Sequence, residues 1–322
     1  MRKSSILGLF AGLRVAFLVS LIVLGTGALP AAKDHAVSPA ESFSSIPSAR
    51  AQDADSDDVF GVKAEETIQK SFVIPAGARS SLDIDNVFGS IEVVGGPGNQ
   101  VQVTVAKTIR ARSDADLQRA RKEVTLDVSQ EAGQVKLYVN GPFRCNCDDC
   151  RGSRDEERNY VVRMDFKVQV PEQTDLEVRT VNEGHVRISN VTGSFDVRNV
   201  NGGIEMDSMA GSGRARTVNG PVTVSFRQNP RANSEFRTVN GAVELRCQPG
   251  LAADFRFKTF NGGIYTDFPV AALPLRPVSE EHRGGKLILR ADRSTGVRIG
   301  NGGPEIQIEN LNGDIRILEN HE

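Results

Sequence analysis

One short motif recurs at a near-constant interval, and a chain built that way has few folds open to it. The motif appears as Val178-Arg-Thr-Val-Asn182, Val197-Arg-Asn-Val-Asn201-Gly, Ala215-Arg-Thr-Val-Asn219-Gly and Phe236-Arg-Thr-Val-Asn240-Gly. Phe257-Lys-Thr-Phe-Asn261-Gly and Val297-Arg-Ile-Gly-Asn301-Gly read as two further copies. Successive asparagines are 19, 18, 21, 21 and 40 residues apart, so the last gap is two periods. A weaker half-unit lies between copies, at Ile188–Gly193 and Met206–Gly211, and returns at Ile308–Gly313 and, much earlier, at Ile84–Gly89. A period near 20 with a half-period near 9 points to a solenoid.

Side-chain alternation selects the kind. Phe236, Thr238, Val243, Leu245 and Cys247 point one way, and Arg237, Glu244 and Arg246 the other. A period of two is that of a strand with one buried face. Asn-Gly supplies positive φ at low steric cost and turns the chain between strands. The same dipeptide closes hairpins, but hairpins would not hold one residue at one register every 18–21 residues. A parallel stack does. It superposes Thr180, Thr217, Thr238 and Thr259, and beside them Val181, Val200, Val218, Val239 and Phe260. Asn182, Asn201, Asn219, Asn240 and Asn261 then form an amide ladder with rungs about 4.8 Å apart. The expected fold is all-β: a single-domain parallel β-helix with coils of 18–21 residues.

The N-terminal half is less regular. Ser71–Ile74, Leu82–Val94, Val101–Lys107, Val124–Ser129, Val135–Val139 and Val161–Val170 read as strands. Ser113 followed by Asp114–Glu123 reads as one short capped helix. This part is expected to belong to the same domain and to close the exposed end of the stack. The domain spans 71–322, with a cysteine-bearing loop insert at 141–160 and a break in the repeats at 269–296.

Residues 1–51 read as a secretory signal or signal anchor. Arg2-Lys3 precedes the apolar run Val15–Leu24, broken only by Ser20. Cleavage after Ala28 and cleavage after Ala51 both fit, and Val15–Ala32 is about long enough to remain as a membrane anchor. The expected location is therefore the periplasm, the outer surface or the medium, or else the inner membrane through that anchor. Residues 33–58, rich in Ser, Ala, Pro and Asp, read as a linker, and 52–70 as the linker leading into the domain. Residues 52–322 carry 34 basic and 39 acidic side chains, a net −5, which argues against nucleic-acid binding by bulk charge.

Ser71-Phe-Val-Ile-Pro-Ala-Gly77, then Leu82–Val93, Lys167-Val-Gln-Val-Pro171 and the Arg-Thr-Val-Asn-Gly copies follow one another in a recognisable order. From about Ser71 to Leu318 the chain resembles the bacterial adhesin-like family known as domain of unknown function 4097. The resemblance implies an exported or surface β-helical protein and brings no catalytic residues with it.

Few side chains suggest chemistry. Cys145, Cys147 and Cys150 have the softness to hold zinc or copper. Outside the cytoplasm a Cys145–Cys150 disulfide closing a polar loop is the expected state, with no metal and no cofactor. Cys247 falls on the buried parity. His185 sits after a turn, and no nucleophile triad, phosphate loop or histidine-pair metal motif is present. Carboxylate columns Asp207/Asp267 and Glu205/Glu244 invite a polysaccharide-active enzyme as the alternative, but Asp207 and Asp267 are expected about 14 Å apart, beyond glycosidase separations.

The basic column is the stronger candidate. Arg179, Arg198, Arg216, Arg237, Lys258 and Arg298 share one register; two residues earlier stand Glu177, Asp196, Arg214, Glu235, Arg256 and Gly296. Bases about 5 Å apart in water repel by about 0.8 kcal/mol per pair, so partial pairing with the neighbouring acids is expected. Arg214/Arg216 and Arg256/Lys258 should have no acid to neutralise them. The strip so formed suits an anionic envelope polymer or surface glycan. The expected function is that of an exported, non-catalytic envelope or surface binding module, with envelope stress signalling compatible with the same fold.

Overall fold

The computed structural model describes residues 60–144, 159–275, 279–283, 286–290 and 294–320. The signal, both cleavage positions, and Cys145, Cys147 and Cys150 lie outside the described residues.

The chain enters on β1 (Val62–Val73), so residues 62–70, expected to belong to the linker before the domain, are strand. Next come β2 (Ser80–Asp85) and β3 (Ile91–Gly96). Read as one strand over Leu82–Val94, this stretch is two, because Gly89 at φ +119° turns the chain from one sheet to the other. There follow β4 (Gln100–Ala111), α1 (Asp114–Glu123), β5 (Thr125–Glu131), β6 (Gln134–Asn140) and β7 (Tyr160–Pro171). Ser113 caps α1 by accepting from the Asp116 amide at 3.2 Å. The helix buries Leu117 and Ala120 and packs against β1, β4 and β7.

The repeats then supply strands in pairs: β8 (Thr174–Arg179) and β9 (Val186–Ser189), β10 (Phe195–Arg198) and β11 (Ile204–Met209), β12 (Gly213–Arg216) and β13 (Val222–Phe226). The pairs β14 (Ser234–Asn240) and β15 (Val243–Cys247), and β16 (Ala253–Asn261) and β17 (Ile264–Thr266), continue the series. The break in the repeats holds β18 (Val270–Leu273) and the hairpin β19 (Ser279–Arg283) and β20 (Lys286–Arg290); β21 (Thr295–Ile299), β22 (Glu305–Asn312) and β23 (Ile315–Glu319) close the chain.

Apart from the two-stranded β19–β20 hairpin, these strands form two large mixed sheets, neither closed into a barrel. Sheet A runs β1-β4-β7-β3-β9-β11-β13-β15-β23-β17, and sheet B runs β18-β21-β16-β22-β14-β12-β10-β8-β2-β6-β5. Each repeat gives one strand to sheet B, turns at its glycine, and gives the next to sheet A. Consecutive Arg-Thr-Val-Asn strands pair parallel and in register, as Arg179–Arg198–Arg216–Arg237 shows. Within the two sheets antiparallel pairing is confined to the ends, at β1–β4–β7, β5–β6 and β16–β21–β18. Inward residues alternate along the repeat strands β8 to β15. Leu176, Val178, Phe195 and Val197 from sheet B meet Val186, Ile188, Ile204 and Met206 from sheet A, all at most 4% exposed. Each such side chain contributes about 1.5–3 kcal/mol of burial. Where Phe195, Phe226 and Phe236 crowd together, the level strand carries Gly213 and Ala215, whose small size makes room.

Two expectations about order are corrected. β22 lies between β14 and β16, so Asn312 stands between Asn240 and Asn261, and Asn310 between Thr238 and Thr259. The half-unit at Ile308–Gly313 is thus a full member of the stack. Conversely, the Val297–Gly302 copy is not a parallel repeat: β21 runs antiparallel to β16, with Arg298 opposite Asp254.

Candidate functional site

The structure explains each letter of the motif. Along a sheet B strand, arginine faces out, threonine in and valine out; asparagine then sits at the turn and glycine makes it. The inward threonine hydroxyls donate to glycine carbonyls of the neighbouring unit: Thr180 to Gly89 at 3.0 Å, Thr217 to Gly202 and Thr238 to Gly220 at 2.8 Å. Asn199 and Asn310 do the same work, reaching the carbonyls of Gly184 at 2.8 Å and Gly241 at 2.9 Å. A Cβ at Gly220, which holds φ +151°, would lie 2.5 Å from the Gly202 carbonyl. Glycine is needed there both for the conformation and for the close approach. Outside, the amides of Asn201, Asn219, Asn240, Asn312 and Asn261 donate in turn to Asn182, Asn201, Asn219, Asn240 and Asn312 at 2.8–2.9 Å.

Beside this ladder runs the basic column, and it is largely paired. Arg179 bonds Glu177 and lies 4.0 Å from Asp85. Arg198 grips Asp196 with two bonds of 2.9 and 2.7 Å, and Arg216 grips Glu235 at 3.0 and 2.6 Å. The Arg198 fork, helped by the charges of Arg216 and Arg214, holds the Asp196 carboxyl below the usual range. Arg237 and Lys258 share Glu309, at 3.4 and 3.9 Å. Two expected gaps in neutralisation are therefore filled: Arg216 has Glu235, and the inserted β22 brings Glu309 to Lys258. Arg256 donates to the Pro274 carbonyl at 3.0 Å. Arg214 is exposed, level with Asp196 and Glu235, both of which engage other arginines. Arg298 is off the column and forks onto Asp254 at 2.7 and 2.8 Å, which lowers the Asp254 pKa.

Sequence reasoning missed Arg144, which lies outside the repeats yet extends the column. It donates to the Asp85 carboxylate at 2.9 Å and sits 4.2 Å over the Tyr138 ring. It also missed a cleft of about 800 Å³ lined by the turns Ile74–Ser80, Gly96–Asn99 and Pro171–Gln173. There Arg79 donates to Asp175 at 2.9 Å. Burial works to raise the Asp175 pKa, but hydrogen bonds from Arg79 and Ser194 outweigh it and leave it lowered. The glycines and prolines of these turns were the available signal.

The remaining candidates do not assemble. β23 separates Arg246 from the Asp267 level, so Asp207 and Asp267 are four strand spacings apart, about 19 Å. Glu205 is taken by Arg187 at 3.0 Å and Glu244 by Arg246 at 2.8 Å. His185 is exposed and accepts from the Gly203 amide at 3.3 Å. Cys247 is buried, which pushes its thiol pKa up to about 12. Among the described residues no cluster of three or more His, Cys, Asp or Glu is arranged to hold a metal, and no helix is long and apolar enough to cross a membrane.

No family model matches the chain, and no curated protein matches it. Solved structures overlap it loosely. A "putative cell adhesion protein" from Clostridium sporogenes is 10% identical, with 79% of this chain and 100% of that one covered and a TM-score of 0.33. A "putative adhesin" from Bacteroides fragilis is 11% identical over 79% and 97%, at 0.32. A "putative lipid binding protein" from Parabacteroides distasonis is 11% identical over 79% and 97%, at 0.22. Overlaps this loose carry no function across.

Proposed function

We propose that the chain is an exported, non-catalytic parallel β-solenoid that serves as an adhesin-like binding module of the cell envelope. Its partner is an anionic envelope polymer or surface glycan lying along the outer face of sheet B. The observation that supports this reading is repetition. Arg179, Arg198, Arg216 and Arg237 stand level on four neighbouring strands, about 4.8 Å apart, with the asparagine ladder beside them. A polymer with regularly spaced acidic groups meets the same donors at every step. Because most of these bases already hold a carboxylate, the polymer competes with internal ion pairs, and binding is weak and salt-dependent. The solenoid reading is supported by the alternation of the chain between two sheets with an in-register return. Export rests on the basic start and apolar run of residues 1–51.

The bases left most available are Arg214, Arg237 and Lys258; the last is 64% exposed at its side chain. Retention on immobilised heparin and on anionic lipopolysaccharide at low salt tests the proposal. The wild type should be retained and elute below physiological salt. The triple variant Arg214→Gln, Arg237→Gln, Lys258→Gln should lose most of that retention while still folding, as checked by circular dichroism and cooperative urea unfolding. Equal retention of the two proteins would overturn the proposal.

A further inference from the structure

The C-terminal unit, β22 with β23, is out of chain order. It lies between β14/β15 and β16/β17, although both precede it in sequence. β22 pairs parallel with β14 on one side and β16 on the other, and β23 likewise with β15 and β17. Both walls of this slot meet the insert in one register. Thr238, Asn310 and Thr259 are level, as are Asn240, Asn312 and Asn261, and Val243, Ile315 and Ile264. The walls could therefore close on each other without a register shift. Closure would set Arg237 directly beside Lys258; with the insert in place, Glu309 stands between them.

That acid makes the slot selective. At the same register the other units present Arg179, Arg198, Arg216, Arg237 and Lys258, so any of them in the slot would place three bases in a row. Only Asp85 of the first unit is also acidic, and there Phe88, not asparagine, is level with Asn182. The insert alone combines an acid at this level, the apolar alternation Ile306, Ile308, Ile315 and Ile317, and the ladder residue Asn312. The link that delivers it, Gly300–Pro304, is glycine-rich, with Gly300 and Gly302 at φ +58° and +73°.

We propose that Glu305–Glu319 is an exchangeable insert, and that the slot between β14/β15 and β16/β17 accepts the same segment from a second copy of this chain. Exchange across a short glycine hinge reproduces every contact of the closed molecule in the swapped pair. The mode of recognition is strand addition: main-chain bonds on two edges give affinity, and the Arg237–Glu309–Lys258 level gives specificity.

The test uses a chain ending at Gly303 and a labelled synthetic peptide spanning residues 304–320. The truncated chain should bind one peptide, and a peptide carrying Glu309→Lys should bind at least ten-fold more weakly. Labelled peptide should also enter the full-length protein, more slowly, displacing the resident segment. A truncated chain that folds cooperatively yet binds no peptide, or that binds both peptides equally, would overturn the proposal. If truncation prevents folding, amide exchange in the full-length protein decides. The amides of β22 and β23 should then exchange as one unit ahead of β10–β13, and faster in Glu309→Lys. Exchange of those amides only through global unfolding, in both proteins, would sink the idea.

Discussion

At the scale of single residues, the motif is a set of instructions for the turn rather than for the surface. The inward threonine ties one unit to the turn of the next, so Thr238→Val keeps shape and burial but leaves the Gly220 carbonyl without its side-chain donor. A loss of about 1–3 kcal/mol is expected, measured by urea unfolding with an unchanged m-value. Gly220→Ala should cost more than about 1 kcal/mol, because alanine must adopt positive φ and also meets the neighbouring backbone. Cys247 lies buried in β15 with its pKa pushed up to about 12, so almost no thiolate exists at neutral pH. It should resist alkylation in the folded protein and react once denaturant is added; mass spectrometry of the labelled peptide distinguishes the two. The sequence showed which threonines, glycines and asparagines recur. It did not show that Asn199 and Asn310 stand in for threonine, because their amides do the hydroxyl's job with a different side chain.

At the scale of elements, charge adds to main-chain bonds, across segments from Asp175 to Arg79 and from Asp254 to Arg298, and along β10 from Asp196 to Arg198. Asp175, Asp196 and Asp254 all titrate below the ordinary carboxylate value when folded. The stabilisation this implies is present above their unfolded pKa, near 3.9, and is lost as pH falls through the lower folded values. The melting temperature should therefore hold steady down to about pH 4 and drop below it. Asp196→Asn should lower stability at neutral pH and flatten part of that acid slope. The helix is held differently. Lys107 is 5% exposed and donates to the Val124 carbonyl at 2.7 Å, just past the end of α1. Burial lowers its pKa, with the Glu66 charge opposing and Arg121 adding to the fall. Lys107→Met removes the donor and leaves that carbonyl unpaired, so α1 amides should exchange faster while those of the repeat strands are unchanged.

At the scale of the whole molecule, the repeats create an order that the chain does not follow. If β22/β23 completes the stack last, Glu309→Lys should slow the final folding phase and leave the earlier one unaffected, read by stopped-flow fluorescence of a label on β16. Much of the architecture was legible in the sequence. A two-residue alternation closed by Asn-Gly at a fixed interval forces strands to return in register, since a one-residue slip would turn every apolar side chain outward. From that follow the two faces, the basic column and the asparagine ladder. The order from β8 to β14 was legible too; that β22 would enter between β14 and β16 and that β21 would reverse was not, because identical registers are interchangeable on any single edge. The position of β22 is favoured by Glu309 standing between Arg237 and Lys258, a level that exists only once three distant segments meet. The same holds for the reversed β21, where Arg298 finds Asp254 rather than the column it resembles. Local periodicity determined the shape and facing of each strand and the succession from β8 to β14; long-range charge and edge pairing, which carry no signature within twenty residues, decided the order of the last strands.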